Sequence, residues 1–336
     1  MTYQVTLRGS GKQFQVPADK NVLEAALGQG LVLPYSCRVG SCGTCKARLL
    51  EGRVDYGKYE PSAMTEQERE QGYVLLCQAH ALTDLLIEAR EVVAAEAVEI
   101  KLLPARVIKL ERLCHDVMGL TLKLPSNQQF NYLPGQYVDI LLRDGRRRSF
   151  SIANLPGTGE LQFHIRRVPN GFYTKHIFTT MKERDLLRLQ GPLGTFFLRE
   201  ESDRPMIFMA GGTGFAPIKA IIENTLALGL TRPLYLYWGA RAARDLYMDE
   251  LAKTWAQQYA HIEYTPVLSE ADGGWSGRSG WVHEAVLADH PDLSNFDVYA
   301  SGPPPMIEAA RDAFIQARLS ADNLFFDSFE FAADVP

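Results

Sequence analysis

The chain has 336 residues, 46% hydrophobic and 22% charged, with a formal net charge of −5. That length suggests two or three domains rather than one core, and the composition is that of an ordinary globular protein. The acidic balance gives no reason to expect nucleic acid as a partner, no window approaches about 18 unbroken apolar residues, so no membrane span is expected, and the opening MTYQVTLRGS lacks the apolar run of a secretory signal, which points to the cytoplasm.

Tyr3, Val5 and Leu7 alternate with polar residues and read as a half-buried strand. Phe14 and Val16 read as its hairpin partner across a turn at Ser10–Lys12. Asn21 to Leu27 predicts a short helix, begun near Asp19 or Asn21 and ended by Gly28 and Gly30. The next stretch, PYSCRVGSCGTCK from Pro34 to Lys46, sets Cys37, Cys42 and Cys45 at C-x4-C-x2-C. Cys77 follows at a distance, after a helix-like segment in YVLLCQAHA. This is the spacing of a plant-type 2Fe–2S site.

Two irons and two bridging sulfides need four thiolates converging on one point, so the loop must curl tightly. Gly40 and Gly43 permit the curl because they reach positive φ without Cβ strain. Ser36, Ser41 and Thr44 are small enough to let backbone N–H groups point at the sulfurs. A structural zinc site usually carries two short C-x2–4-C hairpins, and only one such pair is present. A disulfide framework fits poorly with five cysteines in a chain this long. Ala47–Leu50 then reads as a strand, Glu51-Gly52 as a turn, Thr65 with Glu68 as a capping box, and Leu82–Ile87 as a closing strand.

Val92 to Leu103 reads as a linker ended by Pro104. From Ala105 to about Arg199 the predicted strands are 106–112, 117–123, 137–142, 148–152, 161–165 and 185–190, separated by Pro and Gly, with one helix over 172–181. Several short, closely spaced strands suggest a barrel. Cys114 is read as a strand residue outside the cluster pattern and is expected to be a small buried residue. From Pro205 onward strands and helices alternate: MIFMA, a helix to about Leu228, LYLYW, a helix over 248–259, a strand over 262–268, a helix over 280–288, a strand over 296–301, a helix over 304–319 and a strand over 324–331. That pattern predicts a doubly wound parallel sheet.

Two further stretches carry chemistry. In Arg148-Ser149-Phe150-Ser151, a strand would put Arg148 and Phe150 on one face and Ser149 and Ser151 on the other. By itself this is also the pattern of an ordinary amphipathic strand after the basic turn at Arg146 and Arg147. Gly211-Gly212-Thr213-Gly214-Phe215-Ala216-Pro217 follows an apolar strand and opens a helix, where glycines let the backbone approach a pyrophosphate and the helix N-terminus favours its charge. The seven histidines show no ligand spacing. Trp238 is expected to pack at its strand end, and Trp275 to be a surface-loop aromatic.

PYSCRVGSCGTCKARLLEGRVD with LLCQA resembles the plant-type ferredoxin domain. The remainder resembles a ferredoxin–NAD(P)H reductase fused behind it, and the likeness spans essentially the whole chain. The resemblance implies an α/β multidomain fold: a β-grasp ferredoxin domain over 1–92, a six-stranded antiparallel flavin-binding β-barrel over 103–200 and a doubly wound parallel α/β nucleotide-binding domain over 205–336.

It implies Cys37, Cys42, Cys45 and Cys77 as cluster ligands. It also implies R-x-[YF]-S roles in which Arg148 meets the flavin pyrophosphate, Phe150 the isoalloxazine face and Ser151 lies near N5, with Ser149 between them. Pro134, Gln136 and Tyr137 resemble a PGQY turn, and Gly171 and Thr174 a G-x-x-[ST] helix start that takes the rest of the pyrophosphate charge. His164, Ile165 and Arg166 would line the path from adenylate to ribityl. Gly211, Gly212, Thr213, Gly214 and Pro217 match GGTG-x-[AS]-P. Ser301, Gly302 and Pro303 match C-G-P beside the nicotinamide, with Ser301 at the usual Cys position, so Ser151 and Ser301 are the implied catalytic hydroxyls.

Phe331, with Phe329 and Glu330, would lie near the flavin or form a plain edge strand. FAD is the family norm for this domain order. Arg241 could meet a ribose 2′-phosphate and Asp245 a 2′-hydroxyl, and the GAR-x-x-x-DLY form favours NADH over NADPH. The implied function is electron transfer from NAD(P)H through FAD and a 2Fe–2S cluster to a separate acceptor protein. That acceptor would be a dehydrase of the CDP-6-deoxy-hexulose kind or an oxygenase component. A general NAD(P)H–flavin or ferric reductase and a redox-sensing iron–sulfur module are the other readings.

Overall fold

The computed structural model describes residues 1–92 and 98–329. Its contacts divide the chain into two compact units, Met1–Glu99 and Ile100–Pro336. The first unit holds β1 (Thr2–Leu7), β2 (Gln13–Pro17), β3 (Lys46–Glu51), β4 (Val54–Asp55), β5 (Tyr73–Leu75), β6 (His80–Ala81) and β7 (Leu85–Glu88). Five of these form one sheet in the order β2-β1-β7-β3-β5, and β4 pairs with β6. β1 is antiparallel to β2 and parallel to β7, which is the mixed pairing of a β-grasp.

Helix α1 (Val22–Gly28) starts where the Asn21 side chain accepts the Glu24 N–H at 2.8 Å, and it buries Val22, Leu23, Ala25 and Ala26. Helix α2 (Glu66–Glu70) has the reciprocal capping box of Thr65 and Glu68 that the sequence predicts.

The second unit begins with a six-stranded antiparallel sheet made of β8 (Lys101–Arg112), β9 (Val117–Lys123), β10 (Tyr137–Leu141), β11 (Arg147–Ser151), β12 (Glu160–Arg166) and β13 (Leu186–Leu193), ordered β11-β10-β13-β8-β9-β12. Just past β11, the Ala153 N–H donates to the Gln162 carbonyl of β12 at 2.8 Å, so the outer strands meet and the sheet closes. Val107, Leu120, Val138, Ile140, Phe163 and Leu189 fill its interior, and α3 (Phe172–Thr179) adds Tyr173 and Ile177.

The remaining strands, β14 (Met206–Gly211), β15 (Leu234–Ala240), β16 (Ile262–Leu268), β17 (Arg278–Ser279), β18 (Asp297–Gly302) and β19 (Leu324–Ser328), form a parallel sheet ordered β17-β16-β15-β14-β18-β19. β14 is buried along its whole length. Phe208 and Ala210 face one core with Ile218 of α4 (Phe215–Ala227) and Trp255 of α5 (Asp249–Gln258). Ile207 and Met209 face another with Val286 of α6 (Val282–Asp289) and Phe314 of α7 (Pro304–Gln316). Helices on both faces explain why the central strand reads as a continuous apolar run. Each fully buried side chain of this size contributes roughly 1.5–3 kcal/mol.

Three expectations change. YVLLC is not helical: β5 spans Tyr73–Leu75 and a turn carries Cys77. The predicted linker is shorter, because β8 already begins at Lys101 and includes Pro104. Pro104 pairs with Arg188 of β13, while pairing with β9 begins at Arg106, so the missing N–H falls where β8 has a neighbour on one side only. Cys114 lies in the turn after β8 and is half-buried rather than sitting in a strand. Phe331 and Glu330 lie outside the described residues.

Candidate functional site: a thiolate cradle and a flavin–nicotinamide junction

The loop between α1 and β3 carries Cys37, Cys42 and Cys45, and the turn after β5 adds Cys77. Cys42, Cys45 and Cys77 are buried and Cys37 is half-buried. The Cys42 thiol donates to Cys37, which pushes the Cys37 thiol down to about 5 and Cys42 well up. The Cys45 thiol donates to Cys77 and is pushed well up in turn, and Cys45 also feels Cys42 while Cys77 feels Cys37. All four sulfurs therefore share one small volume.

The backbone leaves no slack around them. A Cβ at Gly40 (φ 80°) would stand 2.8 Å from the Lys58 carbonyl, and one at Gly43 (φ 77°) would stand 2.9 Å from the Ala63 carbonyl. The Gln78 amide donates to the Cys77 carbonyl at 3.0 Å and approaches its sulfur at 3.8 Å. Four convergent thiols in a closely fitted loop suit a 2Fe–2S cluster. Val39, at the crest of this loop, is 63% exposed.

In the barrel, β11 carries the R-x-F-S residues with the alternation its strand geometry dictates. Phe150 packs inward, its ring 6.5 Å from Phe163 and 6.2 Å from Tyr173. Ser149 faces the other way and donates to Asp139 Oδ1 at 2.7 Å, so its hydroxyl is committed to a fully buried carboxylate. Arg148 is half-buried and donates to the Arg147 carbonyl at 2.8 Å. Gln136 is held at both ends by backbone, accepting from Leu133 N–H and donating to the Gly194 carbonyl, each at 2.9 Å. The PGQY turn thus shapes the barrel mouth: Pro134 precedes Gly135, where a Cβ would stand 2.4 Å from the Phe196 carbonyl, and Tyr137 is buried beside Gly194.

Gly171 caps α3, and Thr174 Oγ1 accepts from the Val168 N–H at 3.1 Å. Ile165 is enclosed in the barrel core. His164 is buried, pushed down to about 3 by desolvation, and shares a 3.1 Å hydrogen bond with Tyr247. The Tyr173 hydroxyl is buried with no hydrogen-bond partner among the described residues. Such a hydroxyl costs about 1–3 kcal/mol unless another group meets it, and its place beside Phe150 suits a flavin.

The parallel sheet supplies the facing residues. A Cβ at Gly214 would stand 2.0 Å from the Ser301 carbonyl, and one at Gly211 would stand 2.5 Å from Met306 Sδ, so the glycine turn and the Ser301-Gly302-Pro303 loop are packed face to face. Gly212, with φ 54°, lies under the Arg166 guanidinium. Thr213 lies in the short turn that leads into α4, and Pro217 is buried in the first turn of that helix. Trp238 is fully buried, stacks on Phe215 at 3.9 Å and donates to the Gly212 carbonyl at 3.0 Å. Trp275 is half-buried rather than an open surface aromatic, and it donates to the Arg278 carbonyl at 3.0 Å.

Arg241 is shared by two carboxylates, Asp245 at 3.2 Å and Asp116 at 3.4 Å. The Ser301 hydroxyl is fully buried without a hydrogen-bond partner among the described residues. Ser301 sits in register with Asp327 of β19, and the Ser151 hydroxyl of the barrel donates to Asp327 Oδ2 at 2.9 Å. Asp327, a buried carboxylate, thus accepts from one of the two serines expected to be catalytic and stands in strand register with the other.

Asp327 was invisible to sequence reasoning, which singled out the phenylalanines and the glutamate after it. Its only signal was a carboxylate in an otherwise apolar strand. The His164–Tyr247 pair and the Asp116–Arg241 pair were missed because each joins the barrel to the parallel sheet.

Three domain families match this chain: the 2Fe-2S iron-sulfur cluster binding domain over residues 5–82, the oxidoreductase FAD-binding domain over 104–198 and the oxidoreductase NAD-binding domain over 208–312. The CDP-6-deoxy-L-threo-D-glycero-4-hexulose-3-dehydrase reductase of Yersinia pestis is 40% identical over 330 residues, covering 98% of this chain and 99% of that one. The phenol 2-monooxygenase reductase component DmpP of Pseudomonas sp. (strain CF600) is 37% identical over 343 residues, covering 99% and 96%. The crystal structure of the Amycolatopsis cytochrome P450 reductase GcoB superposes with a TM-score of 0.78 at 31% identity, covering 97% of this chain and 98% of that one. The chain belongs to the ferredoxin–NAD(P)H reductase family in the form that carries its own 2Fe–2S domain, and it is an NAD(P)H-dependent oxidoreductase that moves electrons through FAD and a 2Fe–2S cluster to a partner protein.

Proposed function

We propose that this chain is the reductase of a dehydrase acting on a nucleotide-linked deoxysugar, with NADH as donor and the cytoplasm as its location. The observation that carries the acceptor class is the 40% identity, end to end, with the Yersinia pestis dehydrase reductase. Three domains, over 1–92, 103–200 and 205–336, divide the work. When bound in them, FAD would supply the exchange between two-electron hydride chemistry and single electrons, and the cluster would supply one-electron carriage to the partner.

The chain's own residues orient and shield. Arg148, with the α3 N-terminus at Gly171, meets the flavin pyrophosphate. Phe150 would cover one side of the ring system, and Ser151, whose hydroxyl donates to Asp327 Oδ2, would offer its oxygen near N5. Gly211 to Gly214 admit the dinucleotide pyrophosphate to the start of α4. Ser301, whose buried hydroxyl has no hydrogen-bond partner among the described residues, would lie beside the nicotinamide, with Gly302 and Pro303 fixing its loop. Arg241, already shared by Asp245 and Asp116, has little charge left for a 2′-phosphate, which favours NADH. Cys37, Cys42, Cys45 and Cys77 hold the cluster.

A second reading, the reductase component of an oxygenase, is favoured by the 37% identity with the phenol hydroxylase component and by the GcoB fold. The two separate in an anaerobic experiment. Tagged protein is reduced with NADH in lysate of its own source, cross-linked, and its partners identified by mass spectrometry. Recovery of a sugar dehydrase supports the first reading. Recovery of an oxygenase subunit replaces it with the second.

A further inference from the structure

The turn between β8 and β9 meets the parallel sheet in a cluster of donors, three of which neither flavin nor nicotinamide binding uses. Cys114, His115 and Asp116 each offer one ligand atom, and these lie within 4.8 Å of one another. Cys114 Sγ is 3.4 Å from Asp116 Oδ1, and His115 Nε2 is 3.8 Å from that same oxygen. A fourth donor arrives from the other side. Asp245 is 1% exposed, its Oδ1 has no hydrogen-bond partner among the described residues, and that atom lies 3.6 Å from His115 Nε2.

Each carboxylate has already divided its oxygens. Asp116 Oδ2 takes Arg166 at 3.3 Å and Arg241 at 3.4 Å, and Asp245 Oδ2 takes Arg241 at 3.2 Å. The two Oδ1 atoms are left facing the Cys114–His115 corner.

We propose that Cys114 Sγ, His115 Nε2, Asp116 Oδ1 and Asp245 Oδ1 form a tetrahedral Zn2+ site that ties the barrel to the nucleotide-binding sheet. Zinc–ligand bonds of about 2.0–2.3 Å give tetrahedral edges of roughly 3.3–3.6 Å. The Cys114–Asp116 and His115–Asp116 separations of 3.4 and 3.8 Å lie within about half an ångström of these edges, while Asp245 Oδ1, 3.6 Å from His115 Nε2 but outside the group of three whose ligand atoms all lie within 4.8 Å, must move inward to complete the shell. A thiolate, an imidazole and two single carboxylate oxygens select a borderline metal such as Zn2+ over Mg2+ or Ca2+, which want an oxygen shell of six or more.

The corner is held ready by backbone. Leu113 and Cys114 N–H donate to the Val117 carbonyl at 3.0 and 3.4 Å, Arg167 N–H donates to the Asp116 carbonyl at 2.8 Å, and Arg112 donates to the His115 carbonyl at 3.2 Å. The His115 side chain is 45% exposed, which leaves an entry path. The two guanidiniums balance the two carboxylates, so the thiolate leaves a single negative charge for the cation to meet. Binding releases the Cys114 thiol proton to solvent.

The test uses holoprotein with its cluster and flavin in place, so that the cluster cysteines are occupied. Zn2+ is titrated against a chromophoric indicator, and the zinc K-edge is then recorded. A single Zn2+ per chain is expected, with one sulfur and three nitrogen or oxygen neighbours. C114S and H115A should each weaken binding by about 10–100-fold or more, since even outer-shell changes cost that much, with cluster content and the melting temperature of the zinc-free protein unchanged. Absence of binding would leave His115 and Asp245 as an ordinary ion pair and overturn the proposal. So would equal binding by both variants, or a shell of several sulfurs, which would place the metal in the cluster loop.

Discussion

The cluster loop and the flavin–nicotinamide junction hold redox groups by opposite routes. In the loop, three of the four convergent cysteines lie between Pro34 and Lys46, and the turn that presents them is fixed by its own glycines against the carbonyls of Lys58 and Ala63. At the junction, the central hydrogen bond joins Ser151 to Asp327 across 176 positions and two different sheets. A local cradle fails in one place, whereas a junction built from two sheets requires both to fold and to meet in register. Damage to the loop should remove one electron-transfer step cleanly. Damage to the junction should lower the hydride step without removing a cofactor.

The largest expected effect is Cys45→Ser. Reduction of the partner protein should fall to background, together with the electron paramagnetic resonance signal of the reduced cluster, while NADH oxidation by acceptors that draw on the flavin persists. Retention of partner reduction at the normal rate would mean that electrons bypass the loop. Next comes Asp327→Ala, which strips the Ser151 hydroxyl of its acceptor. Flavin bleaching by NADH in stopped flow should slow by about 10²-fold, the lower end for a positioned proton-holding group, with FAD content unchanged. An unaltered rate would reduce the pair to a structural tie.

His164 sharpens the contrast through pH. Its folded-state value is about 3 against an ordinary 6.5, because burial disfavours the imidazolium. The unfolded chain therefore takes up the proton first as pH falls. The resulting stability is complete above about 6.5 and is lost progressively toward about 3. The melting temperature of the second unit should drop more steeply over that window than in His164→Gln, and parallel curves would show that His164 does not govern it. The smallest effect belongs to Thr65→Ala, which removes the cap of α2 and should cost about 1 kcal/mol in chemical denaturation, with the cluster spectrum intact.

Legibility in the sequence followed the same divide. The cysteine spacing, the Thr65–Glu68 box and the Asn21 cap are short-range patterns, and the structure carries each of them. The alternation of the β11 residues was readable because a strand has one period. Asp327, Asp116 and Tyr247 were not readable, since each acquires its role from a residue on another sheet. YVLLC misled because a short apolar run fits a helix or a strand equally well, and β-sheet neighbours decided it. Cys114 misled because its chain position suggested a strand, while the tight turn closing on Val117 leaves it half-buried instead.

The ties between barrel and parallel sheet bear on recombination between relatives. A crossover near residue 200 would draw Ser151 and Asp327, Asp116 and Arg241, and His164 and Tyr247 from different parents. It would also part Lys219 of α4 from the Ala153 carbonyl it meets at 3.0 Å. Shuffled libraries cut there should therefore be depleted in active members unless both parents share these pairs. The flavin and nicotinamide lobes are thus inherited as a single exchangeable cassette rather than as two.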